Sequence, residues 1–370
     1  MYLKSDYKHL KTSKKSPQVL LYIHIPYCDS KCHYCSFNSY VDQFDTRTQY
    51  MEALYKKLAF ELERFSVQKE DITSLFIGGG TPSTVAPALY RPIFDLIEPY
   101  LQKDAEITTE ANPNSATEAW LRGMQDLGVN RVSFGVQSFD ASKLKALNRA
   151  HSPEQAIKSI QTAYSLGFEH LSLDLIYNYQ GDTKALLKHD IAQAFSLPID
   201  HISAYELTIE DGTAFSKTPE VRQENEAVAF FVADEIEKRG FTQYEISNFG
   251  TYQSQHNKGY WRLQDYIGAG AGAVGFLTDT RYYPQTDIGG YITNPLQITE
   301  EELTADEIQT EKIFLGLRSS IGIEKSLLSE AMLQRAYFLV EEKKLTMDKE
   351  KFYNTNFFLA DEIVLYLLGN

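Results

Sequence analysis

Val19-Leu20-Leu21-Tyr22-Ile23-His24-Ile25-Pro26-Tyr27-Cys28-Asp29-Ser30-Lys31-Cys32-His33-Tyr34-Cys35 is the stretch on which the reading of this chain turns. A short apolar run ends at a proline and is followed by three cysteines spaced C-x3-C-x2-C. The run predicts a buried strand over residues 20–25, so the cysteine loop begins where a strand stops. Three thiolates on one short loop suit three irons of a cubane [4Fe–4S] cluster and leave the fourth iron open to another ligand. The alternative is a structural zinc site of the Cys3His kind, completed by His24 or His33. The chain has three cysteines in all, and every one lies in this loop. An odd, tightly grouped set opposes a disulfide framework and favours a metal or redox site in a reducing, cytoplasmic compartment.

Beyond the loop, apolar runs at 74–77, 105–110, 129–135, 171–176 and 202–207 predict five more strands. Helical patterns separate them, such as Met51, Leu54, Leu58, Leu62 and Phe65 on one face. Apolar strands alternating with helices imply parallel βα units. Six units suit an α/β partial (β/α)6 barrel, with chemistry at the carboxyl ends of the strands. Residues 1–18 read as a solvated tail, because Lys11, Lys14 and Lys15 precede an apolar run too short for a secretory signal. The barrel is expected over 19–210 and a Gly- and Tyr-rich extension over 211–295. Residues 296–370 are expected to form a mainly helical α+β domain. The 370 residues agree with two or three domains.

Composition is that of a globular protein, 43% hydrophobic and 23% charged. Fifty acidic against 36 basic residues give a net charge of −14, which opposes an extended nucleic-acid surface. No apolar run approaches the ~20 residues of a membrane helix.

Tyr22 to Cys28, with Cys32-His33-Tyr34-Cys35-Ser36-Phe37-Asn38-Ser39, resembles the radical S-adenosylmethionine (SAM) signature. More narrowly it is similar to the oxygen-independent coproporphyrinogen III oxidase-like branch, and within it to the HemW-type heme chaperones. The resemblance implies a [4Fe–4S] cluster on Cys28, Cys32 and Cys35, with SAM chelated at the open iron by its amino and carboxylate groups. It also implies that SAM meets Tyr22, Tyr34, Gly79, Gly80 and Thr81 of the Gly78-Gly79-Gly80-Thr81 run, then Glu110, Gln137, Arg149 and Asp174. The glycines would let backbone N–H groups approach a ligand as in an anion nest. Taken singly, each has a plainer reading: Asp174 as a buried backbone partner, Arg149 as a solvated helix residue.

Coproporphyrinogen dehydrogenases of that branch carry a further cysteine two positions after the third, and Phe37 stands there. This favours the heme-chaperone form over porphyrinogen oxidation. His256-Asn257-Lys258-Gly259-Tyr260-Trp261 matches the H-N-x-x-Y-W pattern associated with heme in that form, and implies a heme surface at His256, Tyr260 and Trp261. The same segment reads equally as a loop folded onto the barrel. Gly270 to Gly275 fits G-x-G-x-x-G without a Rossmann context, and Tyr177-Asn178-Tyr179-Gln180-Gly181 departs from the branch's Tyr-Gly-Leu-Pro-Gly. The implied partners are heme-accepting proteins and an electron donor for the cluster. No side chain is assigned a catalytic role of its own.

Overall fold

The computed structural model describes residues 18–369; all but the last residue of the expected tail at 1–18 lie outside them. The chain alternates strand and helix: β1 (Val19–Ile25), α1 (Arg47–Arg64), β2 (Ile72–Gly79), α2 (Pro87–Ile97), β3 (Leu101–Ala111), α3 (Glu118–Gln125) and β4 (Arg131–Gln137). It continues with α4 (Ala141–Ala146), α5 (Pro153–Leu166), β5 (His170–Tyr177), α6 (Lys184–Phe195) and β6 (His201–Glu206). Local chemistry marks the helix ends. α5 starts at a Ser152/Gln155 capping box with Pro153 behind it and stops at Gly167, whose φ of 91° suits glycine.

β1 to β6 lie side by side in sequence order, each parallel to the next. All six expected strands are present, with boundaries within a few residues of those read from the sequence. Alternation divides each strand. Leu21, Ile23 and Ile25 of β1 with Leu75 and Ile77 of β2 join Met51, Leu54, Leu58 and Leu62 of α1 in the main core. The opposite stripes are polar: Tyr22 and His24 on β1, Glu106, Thr108 and Glu110 on β3, Arg131 and Ser133 on β4, and Ser172 and Asp174 on β5. They face the concave side, where the site forms.

The next segment extends this sheet at both ends. After α7 (Glu226–Glu237), β7 (Thr242–Gln243) and β8 (Asn248–Gly250) form an antiparallel pair, and β8 adds antiparallel to β6. Helix α8 (Gln255–Trp261) then leads to β9 (Tyr266–Ala269), which lies parallel to β1 as a seventh parallel strand. The glycine run after it makes a tight return, since a Cβ on Gly268 would stand 2.0 Å from the Val274 carbonyl oxygen. β10 (Gly275–Leu277), β11 (Thr280–Pro284), α9 (Ile288–Thr293) and β12 (Ile298–Glu302) follow, and β12 forms the sheet edge. Residues 298–302, expected in the C-terminal domain, therefore pair within the large sheet.

The remainder has its own apolar cluster around Ile313, Leu317, Leu339, Phe352 and Leu367. It contains α10 (Ala305–Leu317), β13 (Ile323–Glu324), α11 (Glu330–Glu341), β14 (Leu345–Met347), β15 (Lys351–Asn354) and α12 (Ala360–Leu368). Arg318 fastens it to the barrel through two bonds to Glu245 Oε1, at 3.1 and 2.9 Å. Among the described residues no helix is long and apolar enough to cross a membrane.

Candidate cofactor site at the barrel mouth

The cysteine loop leaves the carboxyl end of β1 and is clamped at both ends. Tyr40 N–H donates to the Pro26 carbonyl at 2.8 Å and Cys28 N–H to the Tyr40 carbonyl at 3.0 Å. Asn148, in the left-handed region at φ 58°, donates to the Lys31 carbonyl at 2.8 Å. Lys31 Nζ in turn donates to the Phe37 carbonyl at 2.6 Å and Ser39 Oγ at 2.7 Å. Phe37 is left 67% exposed beside the cysteines.

Two side chains attend the sulfurs. Thr81 Oγ1 donates to Cys28 Sγ at 3.4 Å, and Arg149 Nη1 donates to Cys32 Sγ at 3.2 Å. Burial pushes the Cys28 and Cys35 thiols up, and the nearby sulfurs add to that, so a bound cation is what would hold these two as thiolates. His24 is not available to complete a zinc site. Among the described residues no three His, Cys, Asp or Glu side chains converge tightly enough for a single metal ion. His24 has both ring nitrogens engaged, Nδ1 with Tyr22 OH at 2.9 Å and Nε2 with the Asn38 carbonyl at 2.8 Å. His33 Nδ1 is bound to the Ala146 carbonyl at 3.0 Å.

Arg149 is no solvated helix residue. Its guanidinium braces the mouth: Nη1 also reaches Tyr34 OH at 3.4 Å, while Nη2 donates to Asn112 Oδ1 and to the Gly135 carbonyl at 2.6 Å. Gly135 permits this approach, because a Cβ there would stand 2.9 Å from Nη2. Asn112 Nδ2 continues the chain to Thr81 Oγ1 at 3.2 Å. At the end of β4 a register break lies between Phe134 and Gln137, and Gln137 takes a φ of 69°. Such left-handed backbone at a non-glycine residue is uncommon outside functional loops.

The glycine run is not an anion nest. Gly79 N–H donates to Glu110 Oε2 at 3.1 Å and Gly80 N–H to the Ile25 carbonyl at 2.8 Å, so both donors are used within the fold. Glycine is needed there for close packing. A Cβ on Gly80 would meet the Tyr27 and Ile25 carbonyl oxygens at 2.8 and 2.9 Å, and one on Gly79 (φ 109°) would meet the His24 ring at 2.5 Å.

Below the mouth stand two carboxyls. Burial and the charge of Asp174 push Glu110 up to about 8, and burial pushes Asp174 up to about 6. Tyr22 stays a neutral phenol, pushed up by burial and by Glu110. A pair of half-buried carboxyls short of donors suits a ligand carrying an ammonium group and hydroxyls, which is the chemistry of SAM.

The fold sets the three residues of the expected heme surface at different depths. His256 is 0% exposed. Its Nδ1 bonds Ser74 Oγ at 2.8 Å, its ring lies against Phe76 and Tyr260, and its Nε2 is buried without a partner. Tyr260 and Trp261 are half-buried, packed on Tyr266 and Tyr244. The segment floors the barrel: Glu106 accepts from Tyr252 OH (2.7 Å), Ser254 Oγ (3.1 Å), Gln255 N–H (2.8 Å) and His256 N–H (3.0 Å). Gly259 brings α8 against Leu20, which a Cβ would meet at 2.5 Å.

Glu106, Asn112, Arg131 and His201 were not picked out as site residues from the sequence. The signal was available as polar residues at every second position in otherwise apolar strands, Glu106-x-Thr108-x-Glu110 and Arg131-x-Ser133.

Residues 22–193 match the radical SAM superfamily. The heme chaperone HemW of Bacillus subtilis is 35% identical over 327 residues, covering 84% of this chain and 86% of that protein. The chain belongs to the HemW-type branch of the radical SAM superfamily. HemW of Escherichia coli is 38% identical over 71% of each chain, and HemW of Mycobacterium tuberculosis 31% identical over 94% of each. Coproporphyrinogen III oxidase (HemN) of E. coli, a radical SAM enzyme, shares the fold with a TM-score of 0.78 over 95% of this chain and 90% of its own, at 19% identity. Membership in the radical SAM superfamily implies a [4Fe–4S] cluster and SAM as cofactors.

Proposed function

We propose that this HemW-type protein holds a [4Fe–4S] cluster on Cys28, Cys32 and Cys35, binds SAM over Glu110 and Asp174, and carries heme to acceptor proteins in the cytoplasm. The observation that carries the reading is the mouth itself. A three-cysteine loop, with no fourth cysteine in the chain, stands above two half-buried carboxyls and is braced by Arg149. Relatives named as heme chaperones, aligned over most of their length, support the heme part.

When bound, the cluster and SAM supply one-electron chemistry at the SAM sulfonium, with the electron coming from a separate donor protein. The chain's own residues do the holding. Arg149 and Thr81 stabilise negative charge on Cys32 and Cys28 through charge-assisted and hydroxyl hydrogen bonds. Gly79 N–H orients the Glu110 carboxyl, and Gln137 and Tyr34 complete the rim. Phe37 offers an apolar ring where the coproporphyrinogen dehydrogenases have a further cysteine, and this favours heme carriage over porphyrinogen oxidation.

The test is a heme titration of the cluster-loaded protein followed by mixing with an apo-hemoprotein. Stoichiometric binding and transfer are expected, with no turnover when coproporphyrinogen III, SAM and a reductant are supplied. Catalytic formation of protoporphyrinogen would replace this reading with the oxidase one.

A further inference from the structure

β4 turns Arg131 into the barrel, where it is 2% exposed. It lies opposite Thr108 in the β3 register, and its Nη1 donates to Thr108 Oγ1 at 3.4 Å. Its Nε is buried without a partner, and among the described residues no ion pair includes it. A buried guanidinium this poorly matched is costly unless opposite charges are arranged around it. Alternation along β3 puts Glu106 one step below Thr108, toward the floor, and Glu110 one step above it, toward the mouth. β5 brings Asp174 to the same chamber. Glu106 is committed to the four floor donors described above. Glu106 also answers Arg131 from the floor side, and Glu110 and Asp174 are the carboxyls on its mouth side.

We propose that Arg131 is a positioning residue of the cofactor site, a fixed cation beneath Glu110 and Asp174 that eases their ionisation when a cationic, hydroxyl-bearing ligand binds. The proposal rests on the reading that this pair receives SAM.

Of the other groups around the pair, Arg149 supplies positive charge, and to Asp174 alone. On Glu110 the burial and the Asp174 charge act upward, and the Gly79 N–H and Arg131 act downward. On Asp174 burial acts upward, while the Ser203 hydroxyl, Arg131 and Arg149 act downward. The Tyr22 phenol faces the carboxyls and stays neutral because burial and the Glu110 carboxylate push it up; Tyr205, 43% exposed, also lies beside Asp174. His201, bonded to Ser172 Oγ and Tyr244 OH, and His256 are both held neutral by burial. Arg131 thus acts on both members of the pair, and Arg149 on one. An arginine keeps its charge when buried at any working pH, and a lysine there would keep it only toward the lower end of the range.

The experiment measures SAM affinity by calorimetry between pH 6 and 9.5 on cluster-loaded proteins of matched iron and sulfide content. Native protein, Arg131→Met, Arg131→Lys and Glu110→Gln are compared; Arg131→Gln, which keeps a donor for Thr108, replaces the Met variant should that one not fold. Native affinity is expected to fall below pH 8. In Arg131→Met the fall starts at higher pH, leaving affinity roughly tenfold weaker at pH 7 and native at pH 9.5. Arg131→Lys recovers the native profile at pH 7. A loss equal at every pH, or no loss, overturns the proposal. If Glu110→Gln flattens the profile while the Arg131 variants leave it in place, only the role of Arg131 fails. If Glu110→Gln binds SAM with the native profile, the reading of the site itself fails.

Discussion

Glu106 Oε1 accepts the main-chain N–H of His256 at 3.0 Å, joining residues 150 apart in sequence across the floor of the barrel. The carboxylate does there what a capping side chain does at a helix start, and it does so inside the lumen. Burial alone would raise its carboxyl, but Arg131 and the N–H donors of α8 hold it below the usual range.

Replacing Glu106 by Gln removes the charge that faces both Arg131 and the start of α8. The expected cost is about 3–5 kcal/mol, since a buried arginine loses its compensation. Urea denaturation of the apo-protein measures it. A loss under about 1 kcal/mol would show that the floor is held by packing alone.

His256→Ala deletes a buried ring and its bond to Ser74, and should destabilise by about 2–4 kcal/mol. The heme absorption spectrum is expected to stay that of the native protein, because His256 Nε2 is enclosed. A changed spectrum in a variant that remains folded would return the ligand role to this residue.

Gly80→Ala drives a Cβ into two main-chain oxygens at the root of the cysteine loop. The backbone must shift, so iron and sulfide per chain after anaerobic reconstitution should drop well below native while far-ultraviolet dichroism is retained. Full loading would mean that the loop adjusts without strain.

Glu110 also writes a pH signature into the apo-protein. Its carboxyl is raised from 4.5 to about 8 in the fold, so across that window the native state holds a proton that the unfolded chain has released. Stability contributed by this group therefore falls as pH rises from 4.5 to about 8 and is level above. Glu110→Gln should gain on the native protein over that range, and most of all near pH 8. Parallel curves for the two proteins between pH 5 and 8.5 would contradict the burial of an ionisable Glu110.

The strands and the cysteine loop were legible because apolar runs and cysteine spacing are local signals. Leu21, Ile23 and Ile25 report a buried face wherever the strand sits. What Glu106 and Arg131 do was hidden, because their partners come from α8 and from the far strands, and only closure of the barrel brings them together. His256 shows the same limit: a His-Asn-x-x-Tyr-Trp segment looks alike whether it faces solvent or plugs a lumen. Gly79 and Gly80 announced a close approach, yet the sequence did not say that the approach was to His24 and Tyr27. Asn178, where the branch has glycine, sits at φ 65° and is fully buried, so the departure keeps the left-handed backbone with the residue type that best tolerates it after glycine.

The most direct test of the cofactor site is electron paramagnetic resonance of the reduced, anaerobically reconstituted protein with and without SAM. The account predicts a [4Fe–4S] signal whose g-values shift when SAM is added to native protein, and a much weaker shift at equal SAM in the Glu110→Ala, Asp174→Ala double variant with unchanged iron content. Stoichiometric zinc in place of iron, or a cluster signal that SAM leaves untouched, would contradict it.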